Sequence, residues 1–379
     1  MRVLLISDGP NITTGYGNIA YYLAKYLLRI RGVEVVFGSL QQLGSPLHIR
    51  VDSEYLPVYS VYGCQPAYYE RTLSEVRPDV VVHIRDPVVL TPKYFPSSYR
   101  LKPLAEKYGA KVIHWAPFMG DPPADVVKAL SEDSDLVLVP TNWAYDLLLY
   151  AGFPSNRMAV LRWGIDDEIF HRSRLRDRKE ARRRLGLSED AFVIGTIGVH
   201  DRPHKNYPAI LRAASVLNDP NLEVYLHTSS GSFDIQTFVE RYGLKGKVVL
   251  PATYIKDWGW KVEDYLDVFA AIDVYVTASG AEGFNIPAVE AVCCGVATVA
   301  SDIPVHREVL GEMATFARAY QIYPEGTYFC YVVDPEDLAE KIRAAKPPDG
   351  AAVEEYRRRM SWMEIAKEFK VIVSEVIGR

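Results

Sequence analysis

The feature that most constrains this chain is an alternation that runs twice: short apolar runs of strand length, separated by amphipathic stretches of helical period. Residues 2–7, 34–38, 79–83, 111–115 and 136–140 are apolar and partly β-branched. Helical patterns fall between several of them, at 18–29, 101–108, 124–131 and 144–151. The rhythm breaks at residues 171–184, a stretch rich in Arg and Lys, and then restarts. Strand-length runs return at 193–198, 222–227, 248–250, 274–277 and 297–300, with helical patterns at 207–217, 235–242, 261–270 and 287–293. Continuous apolar strands separated by helices require parallel sheets covered on both faces. The chain therefore reads as α/β, with two Rossmann-like doubly wound parallel-sheet domains and a cleft between them. A length of 379 residues, at roughly 100–200 per domain, agrees with two.

The expected boundaries are a first domain over 1–170, a linker over 171–190, a second domain over 191–355 and a C-terminal helix over 356–379 that returns to the first domain. Acidic residues (Asp177, Glu180) interleave the basic stretch, so it is read as a solvated helix face at the domain boundary. Ser361 and Glu364 have capping-box spacing and open the last helix, which should run to about Ile377.

Charge and composition exclude several classes. Lys and Arg total 43 against 48 Asp and Glu, a net charge of -5, so nucleic acid is not an expected partner. Four cysteines (Cys64, Cys293, Cys294, Cys330) are too few and too badly spaced for a disulfide scaffold or a zinc knuckle. No apolar run approaches the roughly 18–20 residues that cross a bilayer. The first residues form a β-like run without the small-residue cleavage site of a signal peptide. A cytoplasmic protein is expected. Peripheral membrane contact through the basic residues at 171–184 and 357–359, and homo-oligomerisation, are left open. Asn and Gln number only 13, a weak pointer to a heat-adapted source.

Open α/β sheets bind ligands at the carboxyl ends of their strands. The most informative such end is residues 279–290, Ser-Gly-Ala-Glu-Gly-Phe-Asn-Ile-Pro-Ala-Val-Glu, which follow the strand at 274–277 and lead into a helix. Asn285 suits the N-cap, Pro287 the first turn, and Gly295 the far end. Exposed amides at that helix start favour an anion such as a diphosphate. Glu282 in the loop and Glu290 in the first turns flank the anion site, where carboxylates can accept hydrogen bonds from the hydroxyls of a sugar and a ribose.

The run EGFNIPAVEAVCCG resembles the glutamate–seven residues–glutamate motif of retaining GT-B glycosyltransferases, in particular glycosyltransferase family four. The following VATVASDIPVHREVL is similar to that family's next strand and turn. DLVLVPTNWAYDLLLYAGFPSNRMAVLRWGIDDEIF resembles the segment that closes its first domain, and IGVHDRPHKNYPAILRAASVL the segment that opens its second. The resemblance is strongest over residues 133–310. It implies a GT-B fold and a retaining, metal-independent transfer of a hexose from a nucleotide-diphosphate sugar, UDP- or GDP-linked, to a lipid-linked, glycan or small-solute acceptor. No cofactor is expected.

Residue by residue, the resemblance implies that Glu290 holds the donor ribose and Glu282 contacts the transferred sugar. Phe284, Asn285 and Ile286 would offer backbone amides. Lys205 would neutralise the departing diphosphate, stabilising charge that grows as the sugar–phosphate bond breaks. Many relatives carry an arginine just after the strand-end glycine; here Val199 and His200 follow Gly198, and Arg202 is the candidate substitute.

In the first domain, Gly15 and Gly17 open a helix after the loop 8–14 and suit close approach of a phosphate or acceptor. The same residues fit a dinucleotide fingerprint. However, Gly15 lies too far from the strand end at Ser7, and the second strand ends in Phe37-Gly38-Ser39 with no ribose-binding acid. His114, at a strand end, is a candidate sugar contact, with Asp121 beside it at the cleft rim. Gly164 and Asp166 read as turn residues. Tyr55, Tyr59, Tyr62, Tyr68 and Tyr69 read as packing residues that could line an acceptor groove, and Trp258 and Trp260 as part of a lengthened loop. The alternatives are a nucleotide-sugar-binding protein without turnover, an NAD-type oxidoreductase and, last, a phosphorylase-like enzyme on the same fold.

Overall fold

The computed structural model describes residues 1–10, 14–93, 100–198, 203–228, 234–251, 262–325 and 328–378. Two compact units divide the chain, Met1–Gly164 with Met360–Arg379, and Ile165–Arg359.

The first unit holds β1 (Arg2–Ser7), α1 (Gly15–Leu28), β2 (Glu34–Ser39), β3 (Leu47–Val51), β4 (Glu54–Ser60), α2 (Pro66–Val76), β5 (Val80–Ile84), α3 (Lys102–Glu106), β6 (Lys111–Trp115), α4 (Ala124–Asp133), β7 (Leu136–Val139), α5 (Asn142–Tyr150) and β8 (Met158–Val160). Its sheet runs β3-β4-β2-β1-β5-β6-β7-β8, parallel except where β3 pairs antiparallel with β4. On one face Leu4, Ile6, Val36, Val81 and Val112 bury against Tyr69 and Leu73 of α2 and Leu101 and Ala105 beside or on α3.

The second unit holds α6 (Arg178–Leu185), β9 (Phe192–Ile197), α7 (Tyr207–Leu217), β10 (Leu222–His227), α8 (Ile235–Arg241), β11 (Val248–Val249), α9 (Val262–Ala271), β12 (Val274–Thr277), α10 (Ile286–Cys293), β13 (Ala297–Ser301), α11 (Pro304–Leu310), β14 (Thr315–Ala317), β15 (Ala319–Glu325), β16 (Tyr328–Val333), α12 (Pro335–Ala344) and α13 (Gly350–Arg359). Its sheet is wholly parallel, in the order β11-β10-β9-β12-β13-β14, the doubly wound order of a dinucleotide-type fold. Ile194, Val224, Leu226, Val276 and Val299 bury against α7, α8 and α12. β15 and β16 form a separate antiparallel ribbon.

The last helix, α14 (Trp362–Gly378), belongs to the first unit. Phe369 stacks on Trp115 of β6, and Lys370 Nζ donates to the Arg31 carbonyl at 3.0 Å. Ser361 Oγ accepts from Met363 N, so the hydroxyl caps the start of α14; Glu364 turns instead to Lys367 at 2.6 Å and does not close the reciprocal box. Gly164 is not a turn glycine but a close-approach one. A Cβ there would lie 2.8–2.9 Å from Ile365 Cδ1, the Met360 carbonyl oxygen and Trp362 Cδ2.

The division falls between Gly164 and Ile165, which places the expected linker 171–190, with its basic stretch 171–184, inside the second unit. Most of it is exposed, as a solvated face would be, but its arginines are also paired. Arg176 and Arg184 both pair with Asp267 of α9, a residue 2% exposed, and Arg178 and Arg182 both pair with Asp273. The arginines tie α6 and the residues before it to α9 and to the turn that leads into the central strand β12. Arg182 itself is buried and also donates to the Ala271 carbonyl.

Candidate active site

In the second sheet β9 and β12 are neighbours, and the chain leaves them toward opposite edges. This topological switch point is where a doubly wound sheet opens a crevice beyond its strand ends. Two helices start there. α7 follows β9 and α10 follows β12, and each is preceded by an asparagine in the left-handed region, Asn206 at φ 51° and Asn285 at φ 74°.

Between the two helix starts, Lys205 Nζ lies 2.6 Å from Glu282 Oε1. The carboxylate is 8% exposed and the lysine 23%, so Lys205 alone keeps a face toward solvent. Burial works against a charge on Glu282, but the Lys205 ammonium above all outweighs that penalty and holds its pKa below the usual carboxylate value. Thr196, Tyr207, Thr277, Ser279 and Asn285 complete a small polar pocket around the pair. Tyr207 Oη donates to the Gly198 carbonyl at 2.5 Å and fixes the end of β9.

Asn285 does not cap α10 through its side chain, contrary to the expectation from sequence. Its Nδ2 faces Thr277 Oγ1 at 3.2 Å and His306 Nε2 at 2.8 Å instead. His306 is fully enclosed, and burial lowers its pKa. The neutral ring is assigned with its Nδ1 proton toward the Ser301 carbonyl, 3.0 Å away, which leaves Nε2 to accept from Asn285. Ser301 Oγ in turn donates to the Ser279 carbonyl at 2.5 Å. The loop carrying Glu282 is thus tied to β13 and α11, and Asn285 is held in a strained backbone conformation by its side-chain partners. Phe284 puts its ring in the core, and Ile286 begins α10.

Glu290 stands one turn into α10, 6% exposed. Tyr265 Oη on α9 donates to its Oε2 at 2.7 Å. Desolvation by burial dominates and raises its pKa to about 8, against the weaker lowering by Tyr265. The two glutamates therefore carry different charge near neutrality: Glu282 is ionised and Glu290 largely protonated. Arg202, the candidate substitute arginine, lies outside the described residues, as do Val199, His200, Trp258 and Trp260.

The first sheet has its own switch point between β1 and β5. Thr14 caps α1 by accepting from Gly17 N at 3.1 Å, and its hydroxyl donates to Asp8 Oδ2 at 2.7 Å. Asp8 Oδ1 receives Gln41 Nε2 at 2.5 Å and Arg85 NH1 at 2.9 Å. A Cβ on Gly15 would meet nothing within 4 Å, so the fold does not demand glycine there and the space beside the helix start is open. Asp8, Gln41 and Arg85 escaped the sequence reading, although each stands just past the carboxyl end of one of three adjacent strands.

His114 is not at a rim. Its side chain is 3% exposed within β6, with Nε2 at 3.1 Å from Asp133 Oδ2 and Nδ1 at 3.2 Å from His83 Nδ1. An imidazole so enclosed has a structural partner on both nitrogens and no face for a substrate. Asp121 is exposed in a loop. Of the five tyrosines, Tyr69 is core and Tyr55 is 64% exposed, so they do not form one groove.

The two doubly wound units, with a lysine–glutamate pair at the second switch point, have the architecture of GT-B glycosyltransferases. Residues 177–361 match the family Glycosyl transferases group 1. That match covers just under half of the chain, and the whole chain has the GT-B fold. HepE of Anabaena in complex with UDP-glucose superimposes with a TM-score of 0.72 at 15% identity, covering 99% of this chain and 100% of that chain. Sucrose-phosphate synthase from Thermosynechococcus elongatus gives 0.74 at 14% identity, covering 100% and 99%. Among curated relatives, a D-inositol 3-phosphate glycosyltransferase of Stackebrandtia nassauensis is 27% identical over 224 residues, 52% of this chain and 49% of that protein. One from Catenulispora acidiphila is 29% identical over 245 residues, 59% of this chain and 52% of that protein. The chain spans about half the length of the curated relatives it matches. Among the described residues no helix is long and apolar enough to cross a membrane.

Proposed function

We propose that this chain is a retaining glycosyltransferase that moves a hexose from a nucleoside-diphosphate sugar to an acceptor hydroxyl. The observation that carries the reading is the Lys205–Glu282 pair, set between two helix N-termini at the switch point of the second sheet. Helix starts attract the diphosphate. Lys205, the partner with a solvent face, supplies fixed positive charge where negative charge grows on the leaving diphosphate, the role a divalent ion can fill in other transferases. Glu282 accepts from hydroxyls of the transferred sugar, and Glu290 from the ribose. Phe284, Asn285 and Ile286 contribute main-chain amides. The acceptor is assigned to the first unit, near Arg85 and Gly15. UDP, present in HepE of Anabaena, is the first nucleotide to try.

Retention without an obvious nucleophile is accounted for by front-face attack, in which the donor phosphate takes the acceptor proton as the new glycosidic bond forms and the sugar–phosphate bond breaks. The test is release of nucleoside diphosphate from UDP-, GDP- and ADP-sugars, with water or a supplied sugar as acceptor, and the anomeric configuration of the product read by NMR. Lys205→Ala should lower the rate by about a hundredfold, as loss of one preorganised charge contact does. Product with inverted configuration would overturn the retaining assignment. Binding of the nucleotide with no release from any donor would leave a sugar-nucleotide-binding protein.

A further inference from the structure

The ribbon β15–β16 stands outside the six-stranded sheet yet is joined to the site by main chain. Its base is clamped: Ala319 and Val333 pair across the strands at the edge of the core, and Arg318 bridges to Asp334 at 2.9 Å. Its outer face is wet and apolar, with Tyr320 54% and Val332 42% exposed on opposite strands. On the inner side, Tyr331 N donates to the Gly280 carbonyl at 3.0 Å, while Gly280 N donates to the His204 carbonyl at 2.6 Å. Gly280 is therefore a single-residue bridge between the ribbon and the turn carrying Lys205. It also lies two residues before Glu282.

The bridge is as close as main chain allows. A Cβ on Gly280 would lie 2.2 Å from the Tyr331 carbonyl oxygen and 3.1 Å from its nitrogen, both backbone atoms that no rotamer change can move. Any other side chain there would force the ribbon and the loop apart. Both hydrogen bonds are made by the main chain of this one residue, so a shift of the ribbon is passed to the His204–Lys205 turn and to Glu282 together.

We infer that the β15–β16 ribbon is a positioning element of the donor site, and that Gly280, through Tyr331 and His204, sets the register of Lys205 against Glu282. This rests on the donor-site reading above. Gly280 touches no reacting atom in this account. It places two residues that do, at the diphosphate and the sugar, and has no part in holding the ribose, which falls to Glu290.

That division supplies the test. UDP and UMP are titrated into wild type, Gly280→Ala and Tyr331→Pro. Proline removes the N–H aimed at Gly280 and adds no bulk to the loop, so it keeps the question open if Gly280→Ala fails to fold. Tyr320→Ser, on the solvent face, is the control. The expected result is a loss of UDP affinity of about tenfold or more in both variants, the size expected when hydrogen bonds to a charged group are misplaced. UMP affinity should stay within about twofold, with Tyr320→Ser unchanged for both ligands. UDP affinity unchanged in a folded variant would overturn the inference, and so would equal losses for UDP and UMP, which mark a general disturbance. If wild type binds neither, the donor-site reading itself fails and the inference falls with it.

Discussion

Lys205 Nζ and Glu282 Oε1, 77 positions apart in sequence, meet at 2.6 Å where β9 and β12 end side by side. The pair charges the pocket without leaving either group unpaired, and its two members arrive from different helix-opening loops. Removing Lys205 would strand a buried carboxylate. Because Lys205 retains 23% exposure, the cost of Lys205→Ala should lie below the 3–5 kcal/mol of a fully buried pair, at about 2 kcal/mol near pH 7. Glu282 has a depressed pKa, so the stability it contributes is present above the unfolded value near 4.5 and is lost as pH falls through the folded value. The gap between wild type and Lys205→Ala in denaturant midpoint should therefore narrow on acidification below about pH 4.5. A gap that is constant with pH would show that the pair is not the cause.

Glu290 responds in the opposite sense. Its pKa is raised from 4.5 to about 8, so the folded state holds a proton that the unfolded state releases. Stability from this group is fully present below pH 4.5 and declines as pH rises toward 8. Glu290→Gln, neutral and of the same shape, should remove that decline and make the protein more stable than wild type above pH 8 in the absence of nucleotide. Thermal midpoints between pH 5 and 9 check this; parallel curves would contradict it.

Asn285 combines a left-handed backbone with two buried side-chain contacts. Asn285→Gly relieves the backbone and loses the contacts, at about 1 kcal/mol. Asn285→Ala loses the contacts and keeps the strain, at about 2–3 kcal/mol. Denaturant midpoints should rank wild type above the glycine variant and the glycine above the alanine variant. The reverse order for the two variants would exclude strain as the larger effect.

His114 serves the fold. His114→Ala leaves Asp133, 0% exposed, without the imidazole it faces, and should cost about 2–3 kcal/mol of stability. Nucleotide affinity, measured by calorimetry below the unfolding transition, should be unchanged. A loss of affinity with stability intact would return His114 to the site.

Much of the fold was legible because strands buried on both faces are continuous apolar runs. That signal located β1, β5, β6, β9, β10, β12 and β13 to within a residue or two. It failed where a strand is edge-like: β3 and β4 carry exposed residues and Pro57, and the β15–β16 ribbon shows its apolar face to water. The site was legible where its residues are local in sequence, as in the loop from Ser279 to Glu290. What was not legible is non-local. The acidic partners of Arg178, Arg182 and Arg184 lie 80–95 positions away, Asp133 decides the fate of His114 from the next helix, and Asp8, Gln41 and Arg85 are brought together only by the order of three strands. Asn285 stood where an N-cap was expected, but its left-handed backbone turned the side chain toward Thr277 and His306.

Thermal unfolding of wild type and Glu290→Ala with UDP, GDP, ADP, CDP and NAD tests whether a nucleoside diphosphate is held at the second switch point. A ligand at about 100 times its dissociation constant adds about 2.7 kcal/mol of stability, a readily visible shift. One nucleoside diphosphate should raise the midpoint of wild type, and Glu290→Ala should abolish the rise. Stabilisation by NAD alone, or an undiminished shift in Glu290→Ala, would contradict it.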